Sequence, residues 1–338
     1  MDQKPQTNLD FEAIVEAERR DVHAHCYRML GSLHDADDAL QETLLKAWRA
    51  LPRFEGRSSA RTWLYRIATN VCLDTIKRRP KRVLPIDFGS PIPAGAPEPS
   101  TPDPDRWLEA YPDEAVGIED GAASPASRYE RREALELAFV AALQHLPPRQ
   151  RAVLIARDVL GFSAKEAAEV LETTPASVNG TLLRARRSVE ERLPEASQQA
   201  SLKALGDVRL RQLGEDFADA FESGDVEAIL AMLSEDATFQ MPPYEGWRRG
   251  REAIADAWLM PEGPGPRLRY APGRANGQLA LGTYLLDRDE GAYLPLALDV
   301  LSLRPDGLIS GVVAFRELVG FERFAMPARI PFREVEAR

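Results

Sequence analysis

Several features that would place a protein in a familiar class are scarce or missing in this sequence. It contains two cysteines, Cys26 and Cys72, so a disulfide framework is excluded and a reducing cytoplasm is expected. No apolar run approaches the length of a membrane span, and the first residues, MDQKPQTNLD, lack the apolar segment of a signal peptide. His23, His25 and Cys26 lie close together without the paired spacing of a zinc site, and we expect neither a metal nor a cofactor.

An overall excess of positive charge is also missing. The formal net charge of the 338 residues is −10, which excludes a simple basic coat protein for nucleic acid. The position of the positive residues along the chain therefore decides any nucleic-acid role. The length is sufficient for two or three domains, each with its own core.

The stretch from Ser163 to Leu193 has the pattern of a helix-turn-helix. Ser163 and Glu166 form a capping box that starts one helix, and Thr174 followed by Pro175 starts the next. The second helix has an apolar row at Val178, Leu182, Ala185, Val189 and Leu193. Its other faces carry polar and basic residues, which suits a helix in a DNA major groove. An ordinary helical hairpin with a solvated basic face is the alternative.

Two segments near the N-terminus have opposite charge. In DADDALQETLLKAWRAL, an acidic helix edge with Leu45 and Trp48 beside it is either a solvated surface or a docking face for a basic partner. Residues 53–82 hold nine positive residues with Phe54, Trp63 and Tyr65 interleaved. Positive residues follow phosphates and aromatic rings stack on unpaired bases, so we expect contact with melted DNA. A basic helix with Trp63 in its core is the alternative.

In this order, the segments resemble the extracytoplasmic-function (ECF) group of bacterial sigma factors. DADDALQETLLKAWRALPRFEGRSSARTWLYRIATNVCLDTIKRR resembles the domain that grips RNA polymerase and melts the promoter −10 element. LQHLPPRQRAVLIARDVLGFSAKEAAEVLETTPASVNGTLLRARRSVEERL resembles the domain that reads the −35 element. The resemblance covers roughly the first 195 residues apart from a linker.

This resemblance implies roles for individual residues. The polymerase-binding residues it implies are Asp35, Asp38, Gln41, Glu42 and Trp48. The residues it implies for the melted −10 segment are Arg61, Trp63, Tyr65, Arg66 and Asn70. On the −35 recognition helix it implies Ser177, Asn179, Arg184 and Arg186. From their charge we add Arg78 and Arg79 as phosphate contacts.

Residues 83–129 have the composition of a linker. Between 83 and 127 the sequence holds nine prolines and nine acidic residues against the single basic residue Arg106, and such a segment is expected to be extended and disordered. It is either a simple tether or, as the resemblance permits, a segment that occupies the polymerase channel as a nucleic-acid mimic. Trp107 and Tyr111 are candidate anchors.

Beyond residue 205 the pattern changes to helices followed by alternating strands, which predicts an α+β domain over 205–332. FADAFESGDVEAILAMLSEDATFQMPP followed by GREAIADAW resembles the polyketide-cyclase-like (SnoaL-like) group of the cone-shaped nuclear-transport-factor-2 fold. The resemblance implies a pocket, and the candidate lining residues are Phe239, Tyr244, Trp247, Trp258, Tyr284 and Asp299. Asp299 is either a general acid or base with a raised pKa or a bonded structural carboxylate, and we favour the second.

We therefore predict a multidomain chain with two all-α sigma domains, 11–82 and 130–195, a disordered acidic linker, 83–129, and an α+β cone-shaped domain. The predicted function is promoter-specific initiation with core RNA polymerase and promoter DNA as partners, modulated by a C-terminal domain that binds a small ligand or contacts the rest of the chain. No catalytic residue and no membrane partner is expected. The rivals are a stand-alone helix-turn-helix regulator with a ligand-sensing domain and an isomerase or cyclase of the SnoaL-like kind.

Overall fold

A computed structural model describes residues 11–97, 106–116, 130–258, 268–316 and 320–332. The chain divides into two compact units. The first comprises 1–82, 115–117 and 138–193, and the second comprises 83–114, 118–137 and 194–338. Within the described ranges, no helix combines the length and the apolarity needed to cross a membrane.

The first unit is built from helices. They are α1 (Phe11–Leu30), α2 (Leu33–Ala50), α3 (Ala60–Ile76), α4 (Leu137–Gln144), α5 (Pro148–Leu154), α6 (Ala164–Val170) and α7 (Pro175–Glu190). α5 continues into a π-helical turn over Ile155–Val159. Both predicted sigma domains therefore belong to one compact unit.

Side-chain caps fix where these helices begin. Ser32 accepts a hydrogen bond from the Asp35 backbone N–H at 3.0 Å, and Ser59 accepts one from the Thr62 N–H at 3.0 Å. The predicted capping box is present: the Glu166 N–H donates to Ser163 Oγ at 3.2 Å, and the Ser163 N–H donates to Glu166 Oε2 at 2.8 Å. The Ser163–Glu166 box starts α6 where the sequence predicted it, whereas the caps at Ser32 and Ser59 were not predicted.

The second unit carries a sheet. Its strands are β1 (Leu233–Gln240), β2 (Trp247–Arg249), β3 (Leu268–Ala275), β4 (Gln278–Asp287), β5 (Ala292–Leu303), β6 (Ile309–Arg316) and β7 (Ile330–Pro331). Its helices are α8 (Gln198–Ser223), which is kinked at Gly206, α9 (Val226–Met232) and α10 (Arg251–Trp258).

The strand order is β2-β1-β6-β5-β4-β3, with β7 paired to β5. β1 and β6 run parallel and the other pairs are antiparallel. One face of the sheet packs against α8 through a core that includes Leu213, Phe217, Leu281 and Leu301. The predicted α+β architecture is confirmed.

The described part of the linker is ordered, which corrects the prediction of a disordered tether. Residues 83–97 and 106–114 belong to the second unit, and Trp107, Leu108 and Tyr111 are buried within it. The proline density predicted an extended chain, but burial of these apolar side chains in the core of the second unit holds the segment in place. The remaining linker residues, 98–105 and 117–129, lie outside the described ranges.

Candidate nucleic-acid interface

One face of α2 is exposed and both acidic and apolar. Asp38, Gln41 and Glu42 are exposed there, and Trp48 has 60% of its surface accessible. The Phe11 ring lies 5.3 Å from the Trp48 ring and covers one side of it. A large exposed aromatic beside carboxylates fits a protein-docking surface better than a solvated helix face.

Asp35 does not belong to this face, and we correct its predicted role. Its side chain is 3% exposed and accepts hydrogen bonds from Arg82 Nη2 at 2.8 Å and from Arg79. The ion pairs fasten the segment after α3 to the start of α2. Arg79 is therefore also ion-paired within the chain, whereas Arg78 is exposed.

Two aromatic residues predicted to stack on bases are in the helical core instead. Trp63 is 5% exposed and Tyr65 is fully buried, so neither ring is accessible to DNA in this conformation. Two positions along a helix turn the chain by about 200°, so the two rings project to different sides of α3. Phe54 packs against Trp63, whereas His25 and Phe162 pack against Tyr65. Arg66 is partly exposed and Asn70 is exposed, so both keep the accessibility that their predicted role requires.

Arg61 is held by residues near the helix-turn-helix. Its Nη2 donates to the Leu160 carbonyl oxygen at 3.1 Å, and its guanidinium lies 4.6 Å from the centre of the Phe162 ring. The Phe162 ring also contacts Tyr65 edge to face at 5.4 Å. The loop that leads into α6 thus covers Tyr65 and contacts Arg61, whose side chain stays 38% exposed.

A buried arginine joins α5 to the end of α1. Arg151 donates to the Met29 carbonyl, where α1 lacks an internal partner, and to Gln144 Oε1 at 2.6 Å. Gln144 Nε2 donates in turn to the Arg28 carbonyl at 3.1 Å. Burial lowers the pKa of Arg151 to about 10, which leaves it charged at neutral pH. The two helical modules are therefore packed together through buried hydrogen bonds from the Arg151 Nη atoms, whereas its Nε has no partner among the described residues.

The predicted recognition helix, α7, has the expected inner and outer faces. The apolar residues buried along it are Val178, Leu182, Ala185 and Val189. Ser177, Asn179 and Arg184 are exposed. Arg186 is half exposed, but Asp158 holds it in a two-pronged pair with distances of 2.8 and 2.7 Å. Arg186 therefore reaches DNA only if Asp158 releases it or turns with it.

In the second unit, a buried arginine holds the linker. Arg248 on β2 has 4% of its side chain exposed and donates to the carbonyl oxygens of Pro93 and Ala96 at 3.2 and 3.3 Å. Trp247 Nε1 donates to the Gly89 carbonyl at 2.9 Å. No local sequence pattern indicates this arrangement, because the bonded residues are about 150 positions apart.

The β3–β4 turn is a second anchor for the linker. The Tyr111 N–H donates to Asn276 Oδ1 at 2.8 Å, and Asn276 Nδ2 donates to the Leu135 carbonyl at 2.9 Å. Gln199 Nε2 donates to the Gly277 carbonyl at 2.7 Å. One turn therefore binds segments that precede and follow the helix-turn-helix in sequence. An Asn-Gly pair is a recognised hairpin signal, and it was the clue available in the sequence.

The six predicted pocket residues do not line one cavity. Side chains alternate along a strand, and Tyr284 points to the face covered by Phe321 while Asp299 lies on the opposite, inner face. Trp247 is covered by the linker, and Phe239 packs 5.2 Å from Trp258 within the apolar core. The sixth residue, Tyr244, is partly exposed.

Asp299 is buried and bonded. Thr283 Oγ1 donates to its Oδ2 at 2.6 Å. Burial raises the pKa of Asp299 to about 6, against the lowering effects of Thr283 and Arg316. Burial also raises the pKa of Tyr270, and the Asp299 charge adds to that shift. The carboxyl therefore has the electrostatics of a general acid but sits on an apolar inner wall with a partner already in place.

An open groove of about 970 Å³ lies elsewhere on the second unit, between α8 and β3. Its lining includes Asp113, Arg211, Glu215, Arg274 and Phe324 and none of the predicted pocket residues. Among the described residues, no group of three or more His, Cys, Asp or Glu side chains is arranged to hold a metal ion.

Comparison with known families matches three parts of the chain. Residues 14–82 match the model of Sigma-70 region 2, and residues 132–189 match Sigma-70 region 4. Residues 215–295 match the SnoaL-like domain. The first match covers α1 to α3, and the second covers the helix-turn-helix. The third runs from the second half of α8 to the start of β5.

Comparison with whole proteins gives the same assignment. The chain is 41% identical over 329 residues to the ECF RNA polymerase sigma factor SigG of Mycobacterium tuberculosis, covering 94% of this chain and 84% of that protein. It is 26% identical over 197 residues to SigE of Mycolicibacterium smegmatis, covering 57% and 65%. The crystal structure of M. tuberculosis SigJ aligns with a TM-score of 0.55 at 18% identity, covering 94% of this chain and all of that one, and this similarity shows a shared fold.

Proposed function

Because the chain belongs to the ECF group of RNA polymerase sigma factors, we propose that it uses the exposed face of α2 to bind core polymerase and α7 to select promoters. Trp48 and its acidic neighbours carry this proposal, since they form an accessible surface that is both apolar and acidic. The cytoplasm, where core polymerase works, is the proposed place of action.

Run-off transcription with core polymerase tests the proposal. Trp48→Ala should lower polymerase affinity about tenfold or more, because truncating an interface tryptophan commonly costs about 2 kcal/mol. Val208→Ala removes an equally exposed apolar side chain from α8 and is the control. Full activity of the Trp48 variant would refute the docking assignment, and absence of transcripts with the unaltered chain would refute the initiation role.

We further propose that the SnoaL-like domain regulates initiation by holding the linker. Arg248 and Trp247 bond the backbone between Gly89 and Ala96, so this segment has to leave the domain before it can enter any channel of polymerase. Removing the whole domain would expose the buried linker residues Trp107 and Tyr111, so a point variant is the cleaner test.

Arg248→Ala should free the linker and raise run-off transcription. Arg304→Ala is the control, because Arg304 is an exposed arginine of the same domain whose side chain pairs with Asp306. Hydrogen exchange over residues 83–97 reports whether the linker has been freed. Transcription that stays unchanged while exchange increases would contradict the regulatory role.

A catalytic role for the SnoaL-like domain is the second candidate, and the buried Asp299 is the observation that favours it. A carboxyl with a pKa near 6 suits general acid–base chemistry. We propose a structural role instead, because Thr283 already occupies the carboxylate and the inner wall around it is apolar. Asp299→Asn should then leave run-off transcription unchanged, and Arg248→Ala should still raise transcription when it is combined with Asp299→Asn. If the folded double variant no longer shows that rise, the catalytic or ligand-binding alternative is favoured.

A further inference from the structure

The outer face of α7 carries an apolar side chain that the fold does not use. Leu182 is buried in the helical core, whereas the next residue, Leu183, is 74% exposed. Its neighbours on the outer face are Gly180, Arg184 and Arg187, which the helical period places opposite the buried row. Single exposed leucines are common on protein surfaces, so the position of this one is what matters.

The surroundings of Leu183 favour a partner that is both negatively charged and locally apolar. Arg184 and Arg187 are exposed beside it; Glu191 pairs with Arg187 at 3.3 Å, whereas Arg184 donates to the neutral Thr181 hydroxyl. Gly180 lies one turn earlier, and a Cβ added there would meet only Arg184 Nη1 at 3.9 Å, so the surface next to Leu183 is open to close approach. The DNA major groove combines these properties, because phosphates line its edges and the C5-methyl group of thymine projects into it.

We propose that Leu183 reads a thymine in the −35 element by apolar contact with the base's C5-methyl group. Leucine has no hydrogen-bonding group, so it distinguishes bases only by shape and hydrophobic contact. Thymine is the one standard DNA base that presents a methyl group in the major groove. This inference rests on the proposed promoter-binding role of α7 and adds to it the chemistry of one base position.

Deoxyuridine substitution isolates that methyl group, because deoxyuridine pairs like thymidine and lacks only the methyl. A promoter is first selected with holoenzyme from a pool randomised in the −35 region, and each of its thymines there is then replaced singly. Binding of the full-chain holoenzyme should weaken at one position by about three- to fourfold, the effect of one buried methyl group. With Leu183→Ala, the same replacement should have no effect, and binding to the thymine promoter should already be weaker.

Val208→Ala, which removes another highly exposed apolar side chain, should keep the normal response to deoxyuridine. Equal responses in the unaltered and Leu183→Ala holoenzymes, or no response at any thymine, would overturn the inference while promoter binding stands. Selected −35 sequences that lack a constant A·T pair would overturn it as well. An unaltered holoenzyme that selects no promoter would instead refute the proposed function, and this inference with it.

Discussion

Arg61 Nη2 donates a hydrogen bond to the Leu160 carbonyl oxygen, 3.1 Å away, and this bond joins α3 to the loop before the helix-turn-helix. The Phe162 ring lies under the same guanidinium and against Tyr65. A residue expected to contact melted DNA is therefore engaged within the chain. We infer that the two helical modules must separate before α3 presents Tyr65 and the bonded Nη2 of Arg61 to a promoter.

Weakening this contact should make α3 more accessible. Phe162→Leu keeps an apolar side chain but removes an aromatic pair and a cation–π contact, each worth about 0.5–1 kcal/mol. The free chain should then bind single-stranded −10 DNA several-fold more tightly, as measured by fluorescence anisotropy. Phe54→Leu is the control, because Phe54 contacts Trp63 on α3 from outside the helix-turn-helix module. Equal gains in both variants would show that the contact does not mask α3.

The β3–β4 turn should be more sensitive to a methyl group than another glycine turn of the same sheet. Gly277 and Gly291 both have positive φ, 69° and 58°, so alanine strains the backbone at both. A Cβ at Gly277 would also meet the Arg132 carbonyl oxygen at 3.0 Å, whereas a Cβ at Gly291 meets nothing within 4 Å. Gly277→Ala should therefore lower the Tm of the full chain by several degrees more than Gly291→Ala. Equal losses would mean that the segment around Arg132 is not held against the turn.

A buried glutamate should make the stability of the second unit depend on pH. Burial raises the pKa of Glu136 to about 7 from its ordinary value of 4.5, although the Gln199 N–H donates to its Oε1 at 2.7 Å. The folded state then holds this proton more tightly than the unfolded state, so stability falls as pH rises from about 4.5 to 7 and levels off above that.

Glu136→Gln tests this dependence because it keeps an oxygen acceptor for Gln199 and removes the titration. The two proteins should have similar free energies of unfolding near pH 4.5. Above pH 7 the Gln variant should be more stable by on the order of 1–3 kcal/mol. Denaturant titrations at several pH values measure the difference. A difference that is constant with pH, or that shrinks as pH rises, would contradict the assignment.

The features that were predictable from sequence are the ones specified by neighbouring residues. The Ser163–Glu166 capping box, the Thr174 cap and the buried row from Val178 to Val189 all depend on spacings of three or four, and the structure confirms them. Local patterns also identified the α+β class of the C-terminal domain. In each case the information lies within one helical turn or one strand.

The features that were missed depend on distant partners or on exceptions to local rules. Asp35 read as a surface carboxylate because its partner Arg82 is 47 residues away. β3 contains Pro272 and Gly273, which argue against a strand, but it lies at the sheet edge, where such residues are tolerated. The packing of the linker could not be predicted from its own composition, because Arg248, which donates to the linker carbonyl groups, lies in another domain.

The Arg186–Asp158 pair on the recognition module should limit DNA affinity. Asp158 accepts hydrogen bonds from both Nε and Nη2 of Arg186, so its carboxylate offsets the Arg186 charge on the surface predicted to face DNA. Asp158→Asn should free Arg186 for a phosphate and tighten holoenzyme binding to all DNA sequences. If one phosphate contact is gained, the slope of log K against log salt steepens by about 0.9.

Arg304 and Asp306 form a similarly exposed pair in the SnoaL-like domain, so Asp306→Asn is the charge-matched control and should leave the slope unchanged. Loss of promoter selectivity in the Asp158 variant, with no change in the salt slope, would mean instead that Asp158 positions Arg186 for a base.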